Sequence, residues 1–421
     1  MNKIKILYDA SVLALDGARE HRTGIFCVVL NLLKEMQKRN DVFVELYFSP
    51  EKVYEGQKIC KDLQLKFPFF QRSRIFDSWL GEVRLCLFRL HRKHYKRFFY
   101  RKISAICIVF LNVLFKCRFS IFRKNINNFN AYLSPLDPIP NFVRNSNIQA
   151  SLILHDAIPL ILDYLGPQRR HAYERLVKSF DPKDIFFSVS RFTLNDFSIF
   201  SKAITGSNSI VCPLAANEFY KPIVDEDGKK LIKIKYGIPV EKKYVFSLCA
   251  IEPRKNLVRA ISSFLKFTKK NSVDDIVWVL GGAAWDSFTE LSKKLDSNII
   301  IRTGYIDDED LPTLYSNAEW FVYTSQYEGF GLPPLEAMQC GCPVITSNNT
   351  SLPEVVGDAG IMIDWDSDEQ HIEAYEKYYF NEELRKENSR KGLERSKQFS
   401  WKETVDKMVS ALALKDRAKT L

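Results

Sequence analysis

The sequence predicts an α/β protein built from two parallel-sheet domains that face each other across a cleft. Two blocks of alternating strand and helix patterns occur, one before and one after a charged segment at 225–239. Alternating βα units of this kind form parallel sheets. The length of 421 residues suits two or three domains at ~150 residues each. With 46% apolar and 13% aromatic residues, the chain can build large cores, and disordered or fibrous classes are excluded.

The first block combines short apolar runs of strand type with helical periodicity. Thr23-Gly24 precedes a predicted helix over 25–39 that ends in basic residues, as helices tend to. Ser190 is placed to cap a helix that begins near Arg191. We therefore expect residues 1–220 to form the N-terminal domain. Its predicted strands are 3–8, 42–48, 131–134, 150–154, 184–188 and 209–213.

The alternation restarts after 225–239, which we interpret as the connection between the domains. Helices are predicted over 256–271 and over most of 369–399. Residues 221–400 should form the second domain, and residues 401–421 a C-terminal helix that could return to the first. Ligands of such sheets bind at the carboxyl ends of the strands, so the cleft is the expected site. The strands predicted here are 243–249, 276–280, 299–302, 320–323, 343–346 and 360–363.

One segment accounts for the entire net positive charge of the chain. Between Val83 and Leu136 there are twelve Lys or Arg and no Asp or Glu, which leaves −2 of the total +10 for the other residues. A basic face and an aromatic apolar face lie opposite each other at helical spacing, and thirteen uncharged residues, 103–115, follow. As a helix these thirteen reach ~20 Å, too short to span a bilayer of ~30 Å. The basic face comprises Arg89, Arg92, Lys93, Lys96 and Arg97.

This segment predicts a partner as well as a fold. An amphipathic basic helix suits an anionic membrane surface, so we expect the insertion at about 83–125 to contact a membrane. The alternatives are a protein partner, or an ordinary core helix with a solvated basic face. Nucleic acid is disfavoured because no nucleic-acid-binding motif occurs.

The compartment is predicted from cysteines and hydropathy. The nine cysteines include no CxxC, and most lie in apolar runs, which indicates buried thiols in a reducing compartment. The first apolar stretch is short and is interrupted by Asp9, unlike a signal peptide. We expect a cytoplasmic protein that lies peripherally on the inner membrane face.

The segment 327–347, YEGFGLPPLEAMQCGCPVITS, carries the sharpest motif. Glu328 is placed at a strand end, and Glu336 lies in a helix that opens near Pro333-Pro334. The two glycines between these carboxylates let backbone N–H groups approach a ligand closely, and a helix N-terminus is an anion site. The carboxylates themselves can accept hydrogen bonds from sugar and ribose hydroxyls.

Cations follow another predicted strand. Arg254 and Lys255 come after 243–249 and directly before a helix, where fixed positive charge could stabilise a diphosphate leaving group. His155 and Asp156 follow strand 150–154 in the first domain. Asp9 ends the first strand, and a cap or an acceptor contact is equally open for it. No DxD, HExxH or other close ligand cluster occurs, so no catalytic metal is expected.

Together these segments resemble the retaining glycosyltransferases of family 4, whose GT-B fold consists of two Rossmann-like parallel-sheet domains. The resemblance is dense from 244 to 364, is thinner before 150, and is essentially absent from 51 to 129. RTGI (22–25) and HDAIP (155–159) are similar in the first half. The matching segments of the second half are CAIEPRKNL (249–257), GYIDDEDLPTLYSNAEWFVYTS (304–325) and SLPEVVGDAGIMID (351–364).

The resemblance implies roles for individual residues. Glu328 would hold hydroxyls of the transferred sugar, His155 would donate a hydrogen bond near that sugar, and Lys255 with Arg254 would neutralise the diphosphate. Many members carry a further Arg where Cys249 stands here, so Arg254 is expected to share that task. Glu336 would bind the ribose, and the backbones of Phe330, Gly331 and Leu332 would contact the sugar and the diphosphate. Gly24 would line the cleft, and Tyr305 belongs to the stretch that would pack near the base.

The resemblance also implies the reaction. A sugar would move from a nucleotide diphosphate donor to a lipid-linked saccharide bound by the first domain, in cell-surface polysaccharide assembly. EPRKN, SLPEV and GDAG resemble most the branch that uses GDP-mannose or related donors such as dTDP-rhamnose. No cofactor beyond the donor is implied. The alternatives are a sugar-nucleotide epimerase or phosphorylase of the same fold, and a non-catalytic membrane-associated partner subunit.

Overall fold

The computed structural model describes residues 3–16, 24–66, 82–84, 86–87, 98–118, 126–282 and 298–419. These residues form two six-stranded sheets with helices packed on them. Every strand pair in both sheets is parallel. The predicted fold class, α/β with two parallel-sheet domains, is confirmed.

The first sheet has the strand order β2-β1-β3-β4-β5-β6. Its strands are β1 (Ile4–Asp9), β2 (Val42–Tyr47), β3 (Ala131–Ser134), β4 (Gln149–Leu154), β5 (Ile185–Ser188) and β6 (Ser209–Val211). The helices of this half are α1 (Ser11–Asp16), α2 (Gly24–Lys38), α3 (Val53–Asp62), α4 (Phe98–Arg118), α5 (Asn141–Arg144), α6 (Ile158–Ile161), α7 (Pro167–Lys178) and α8 (Arg191–Phe200).

The second sheet has the order β12-β11-β10-β7-β8-β9. Its strands are β7 (Lys243–Leu248), β8 (Ile276–Gly281), β9 (Ile300–Gly304), β10 (Trp320–Tyr323), β11 (Val344–Ser347) and β12 (Gly360–Ile363). The helices of this half are α9 (Glu226–Lys235), α10 (Leu257–Lys270), α11 (Leu311–Ser316), α12 (Leu332–Gln339), α13 (Leu352–Val356), α14 (Asp368–Phe380), α15 (Glu382–Ser396) and α16 (Trp401–Lys419).

Burial explains why the strands were recognisable as unbroken apolar runs. Every residue of β4 and of β8 is buried, because helices cover both faces of a parallel sheet. In each sheet the strand order runs in opposite directions on the two sides of one strand, β1 in the first sheet and β7 in the second. The carboxyl end of such a strand opens into a crevice that can hold a ligand.

The segment 225–239, interpreted from sequence as a connection, contains the helix α9. Its charged residues face outward, whereas Ile232 is buried and the stem of Lys233 is 4% exposed. The Lys233 ammonium donates hydrogen bonds to the carbonyls of Val240 and Lys242 at 2.9 and 2.7 Å. A long amphipathic side chain thus buries its stem and satisfies its charge locally, which composition alone did not indicate.

The last helix, α16, packs against the first half of the chain. Asp406 pairs with Arg39, and the Thr404 hydroxyl donates to the carbonyl of Pro213. The domain limits placed at residues 220 and 400 stay predictions.

The basic insertion is described only in part, and the basic face at 89–97 lies outside the described residues. Arg84, one of the twelve cations, is 6% exposed and pairs with Glu55. Its guanidinium also donates to Asn112 of α4 at 2.8 Å, so this cation joins the insertion to the domain. None of the helices in the described part of the chain is long and apolar enough to cross a membrane.

Candidate active site

The candidate site lies at the carboxyl edge of the second sheet, where it meets the first half of the chain. After β7 the chain forms a short 3-10 turn, Pro253–Lys255. Asn256 then adopts a left-handed conformation, φ 56°, which Asn tolerates better than most residues, and α10 begins. The loop 327–331 after β10 lies against this turn: the Arg254 guanidinium donates to the Tyr327 carbonyl at 2.8 Å, and the N–H of Gln326, just before the loop, donates to the Arg254 carbonyl at 2.7 Å.

The turn and the loop 327–331 bring Glu328 and two cations together. Glu328 Oε1 lies 2.6 Å from Lys255 Nζ and 2.9 Å from Arg254 Nη1. All three side chains are largely buried, with 9%, 7% and 14% exposed. Residues predicted from separate motifs, 73 positions apart, therefore meet in one site.

The charge state of Glu328 follows from this arrangement. Burial alone would raise the pKa of Glu328, but the ammonium of Lys255 and the guanidinium of Arg254 outweigh it and lower the pKa to about 2. The carboxylate is therefore ionised at neutral pH. An ionised carboxylate accepts hydrogen bonds and cannot donate one, which suits it to hold sugar hydroxyls.

Two further side chains hold the cations and were missed from the sequence. Glu252 pairs with Arg254 at 2.6 Å, and Tyr323 accepts a hydrogen bond from Lys255 Nζ at 2.5 Å. Tyr164, from the first half of the chain, donates to Glu252 at 3.2 Å. Glu252 lies two residues before Arg254, and that spacing was the available indication of a pair.

Glu336 lies apart from the cations, on the first turns of α12. Its Oε2 accepts a hydrogen bond from the hydroxyl of Tyr315 at 3.1 Å. Burial raises the pKa of Glu336 to about 7, although hydrogen bonds from Tyr315 and Tyr220 act in the opposite direction. The sequence predicted the position of this carboxyl in the helix, but its titration near neutral pH depends on burial.

Three of the residues between the two carboxylates were predicted as ligand contacts: Phe330, Gly331 and Leu332. Phe330 is buried, and its ring packs edge-on against Phe399 at 5.8 Å. Gly331 has φ 115°, a conformation that side chains rarely adopt, and it starts α12 at Leu332. Because the Phe330 ring is in the core, only its backbone can reach a ligand, as the predicted contacts require.

His155 and Asp156 follow β4 and face the loop 327–331 from the first half. His155 Nε2 lies 2.7 Å from the carbonyl of Pro135, and since a carbonyl only accepts, Nε2 carries the proton. Burial lowers the pKa of His155 to about 4, so the ring is neutral and Nδ1 is an acceptor. The predicted donation to a sugar stays a prediction, which requires Nε2 to exchange its partner.

The remaining predicted residues are more dispersed. Gly24 begins α2, with nothing within 4 Å of an added Cβ, while Arg22 lies outside the described residues. Tyr305 follows β9 and is 40% exposed. Asp9 is 4% exposed and accepts a hydrogen bond from the N–H of Ser11, the first residue of α1, at 2.9 Å, as a cap would. It also accepts one from the Tyr132 hydroxyl of β3 at 2.6 Å. An acceptor contact for Asp9 stays a prediction.

Chemically, the site offers fixed cations beside an ionised carboxylate, next to a helix N-terminus. Such a group can bind an anion and the hydroxyls beside it. In the part of the chain that the structure describes, no three His, Cys, Asp or Glu side chains are arranged to hold a metal ion. Cys249 has its thiol pKa raised to about 12 by burial and carries no charge here.

Comparisons with known proteins show the family of the chain. A family model described as "Glycosyl transferases group 1" matches residues 228–395, the part that contains Glu328 and both cations. The chain is 31% identical over 283 residues to O-antigen chain mannosyltransferase B of Escherichia coli, covering 65% of this chain and 73% of that protein. The chain belongs to the group 1 glycosyltransferases. A second relative of this glycosyltransferase, the serotype-specific mannosyltransferase WbdA of Escherichia coli, is 30% identical over 263 residues, 60% of this chain but 32% of that protein.

Solved structures support the fold of this glycosyltransferase. Sucrose-phosphate synthase from Thermosynechococcus elongatus superposes with a TM-score of 0.65 at 14% identity, covering 99% of this chain and 100% of that one. The likeness extends over both sheets, including the first half where the sequence resemblance was thin. The GT-B arrangement is therefore confirmed for the glycosyltransferase as a whole.

Proposed function

We propose that this glycosyltransferase moves a mannosyl group from a GDP-mannose-like donor to a lipid-linked saccharide, with retention of the anomeric configuration. The observation that carries the proposal is the pairing of ionised Glu328 with Lys255 and Arg254 at 2.6 and 2.9 Å. The two relatives named mannosyltransferases support the choice of sugar. The saccharide acceptor is supported by the O-antigen relative and by the insertion discussed below.

The proposed reaction uses the site as follows. The bond between the sugar anomeric carbon and the diphosphate oxygen breaks, and the acceptor hydroxyl oxygen bonds to that carbon on the same face. The hydroxyl proton passes to the departing phosphate oxygen. Lys255 and Arg254 stabilise the negative charge that grows on the diphosphate, without a metal, while Glu328 orients the sugar through its hydroxyls.

A transfer assay tests the proposal. The full chain is incubated with GDP-mannose, UDP-glucose or dTDP-rhamnose and a lipid-linked saccharide extract, with and without EDTA. We expect transfer from GDP-mannose that survives EDTA. Interconversion of free nucleotide sugars would indicate an epimerase, phosphate-dependent release of sugar phosphate a phosphorylase, and no turnover of any donor a partner subunit. Strict dependence on a divalent ion would contradict the proposed role of the two cations.

The pH dependence of donor binding tests Glu336. We propose that its carboxylate binds the ribose hydroxyls, which favours the ionised form. Because its pKa is raised to about 7, protons compete with the donor below pH 7, and the Kd for GDP-mannose should rise by up to about tenfold between pH 8 and pH 6. Titration calorimetry at three pH values measures this effect.

The interpretation of that titration is secured by a matched variant. Glu336→Gln should bind more weakly than wild type and should show a flat profile from pH 6 to 8. His155 does not interfere, because its pKa of about 4 lies below the range. An equally flat profile in the wild type would remove Glu336 from the proposed donor site.

A membrane-facing surface is proposed on α4. Four of its apolar side chains are more than half exposed and follow helical spacing: Ile106, Val109, Phe110 and Val113. On the opposite side of the helix, Ile108 and Leu111 are 8% exposed. An exposed apolar stripe within a segment that holds twelve cations and no acids fits the interface of an anionic bilayer. The enzyme would then meet its lipid-linked acceptor at the inner membrane face.

Liposome flotation tests this surface. Wild type should float with vesicles that contain anionic lipid, and less so at high salt, because each Lys or Arg contributes at most ~1 kcal/mol and is screened. Serine at Ile106, Val109 and Phe110 together should release the protein. Leu231→Ser with Ile234→Ser serves as the control, since these side chains are 67% and 60% exposed on α9. Wild type that ignores anionic vesicles at low salt would refute the membrane-facing surface, and the segment would then be core or the surface for a protein partner.

A further inference from the structure

The first half of the chain contacts the sugar-site loop 327–331 through the start of helix α8. The Ser190 hydroxyl donates to the carbonyl of Gly329 at 2.7 Å, and the Thr193 hydroxyl donates to the same carbonyl at 3.0 Å. These residues lie 139 and 136 positions from Gly329. Both are buried, at 2% and 0% exposed, so water does not compete for the carbonyl.

The backbone of Gly329 rests directly against the first half of the chain. A Cβ built on Gly329 would lie 1.9 Å from the carbonyl oxygen of His155 and 2.8 Å from the Asp156 side chain. Only a glycine allows the backbone of this loop to rest directly on the backbone that follows β4. The residue adjacent to Glu328 is therefore in contact with both His155 and α8.

The backbone carbonyls of residues 328–330 accept hydrogen bonds alternately from the second and the first half of the chain. The Ser351 hydroxyl, from the second half of the chain, donates to the carbonyls of Glu328 and Phe330 at 3.0 and 2.7 Å. The carbonyl between them belongs to Gly329 and is held from the first half. The backbone at Glu328 thus takes its orientation from both halves.

Further contacts keep α8 on this loop. The Glu354 carboxylate accepts hydrogen bonds from the N–H groups of Arg191 and Phe192 at 2.8 and 2.7 Å, and a carboxylate is favoured at a helix N-terminus. The Tyr327 hydroxyl donates to Asp196 of the same helix. Helix α8 is therefore bonded to Tyr327 and to Glu354 in addition to the Gly329 carbonyl.

From these contacts we propose that Ser190 and Thr193 are positioning residues for Glu328. Their hydroxyls fix the Gly329 carbonyl and thereby set the direction of the neighbouring carboxylate, so the sugar site is complete only when α8 contacts the loop. The proposal rests on the proposed function of Glu328 as the sugar-binding carboxylate. Neither hydroxyl touches the substrate, and both act through the loop backbone.

The test uses substitutions that keep side-chain volume. Thr193→Val removes one donor, and Thr193→Val with Ser190→Ala removes both. We expect kcat for transfer from GDP-mannose to fall about tenfold in the single variant and further in the double variant. The Kd for GDP-mannose should stay within about threefold of wild type, because the cations and Glu336 lie in the second half. Thr193→Ser should restore kcat to within about twofold.

A second readout does not depend on the substrate. Amide hydrogen exchange of peptides covering 326–332 should be faster in the double variant, since a lost hydrogen bond lowers the free energy of local opening. Ser198→Ala is the matched control, because its hydroxyl donates to the Leu194 carbonyl within α8 at 2.8 Å. This control should leave both kcat and exchange of the loop unchanged.

The outcomes separate this proposal from the proposed function. A double variant with kcat within twofold of wild type and unchanged exchange overturns the positioning role. So does a Kd that rises in proportion to the loss of kcat, because the loop would then serve donor binding as a whole. Wild type that transfers nothing from GDP-mannose refutes the proposed donor, while the exchange comparison still decides whether Ser190 and Thr193 hold the loop.

Discussion

Replacing Glu328 by glutamine is expected to lower kcat for sugar transfer by at least about 100-fold. The carboxylate is ionised, with its pKa lowered to about 2, and the proposed sugar hydroxyls would lose a charged acceptor in a buried site. The amide keeps the volume but offers one acceptor oxygen without charge. A single-turnover assay with GDP-mannose, compared with wild type, measures the loss.

The glutamine and alanine variants of Glu328 should differ in stability. Both variants remove the charge that pairs with Lys255 and Arg254, and breaking a buried pair costs about 3–5 kcal/mol, but only alanine also removes the acceptor oxygen that the two cations share. We therefore expect a clearly lower Tm for alanine than for glutamine, with transfer lost in both. Glu376→Gln, which removes the ion pair between Glu376 of α14 and Lys270 of α10, should keep transfer within about twofold of wild type. Near-normal turnover in Glu328→Gln would refute the assignment of Glu328.

Replacing Lys255 by alanine is the second large expected effect. Its side chain is 7% exposed, so bulk solvent screens the ammonium charge only weakly. Since negative charge on the diphosphate grows as the sugar bond breaks, kcat should fall about 100- to 1000-fold, while KM rises much less. Initial rates over a range of GDP-mannose concentrations separate the two parameters.

A buried lysine elsewhere provides the control for Lys255→Ala. Lys233 is 4% exposed and bonds two backbone carbonyls near the start of the second half. Lys233→Ala should lower Tm without a specific loss of kcat. If Lys255→Ala instead raises KM and leaves kcat unchanged, the ammonium binds the donor equally in the ground and transition states, and its proposed catalytic role is wrong.

The fold could be predicted because its elements are local patterns. Unbroken apolar runs such as 276–280 indicated strands buried on both faces, and the N-cap at Ser190 was correct because its side chain accepts from Thr193 N–H. The helix α9 was missed since its polar composition hid two buried positions. Its geometry depends on Lys233 reaching carbonyls up to nine residues away.

The sequence predicted which residues belong to the candidate site, but not the hydrogen bonds and ion pairs that connect them. Glu328 and the two cations were found from separate motifs, and their meeting depends on strands β7 and β10 being neighbours. Glu252 and Tyr323 were missed because their roles are to hold other side chains. Ser190 was identified as a cap, but its bond to Gly329 lies 139 residues away, beyond any periodicity.

The crystal structure of the full chain with bound GDP tests the account most directly. In the proposed site a nucleoside diphosphate would contact the two cations, the helix start at Leu332 and Glu336, at the carboxyl edge of the second sheet. We expect diphosphate oxygens within about 3.5 Å of Lys255 Nζ and the Arg254 guanidinium, with the ribose hydroxyls on Glu336. A diphosphate bound away from both cations, or held to the protein through a metal ion, would contradict the account.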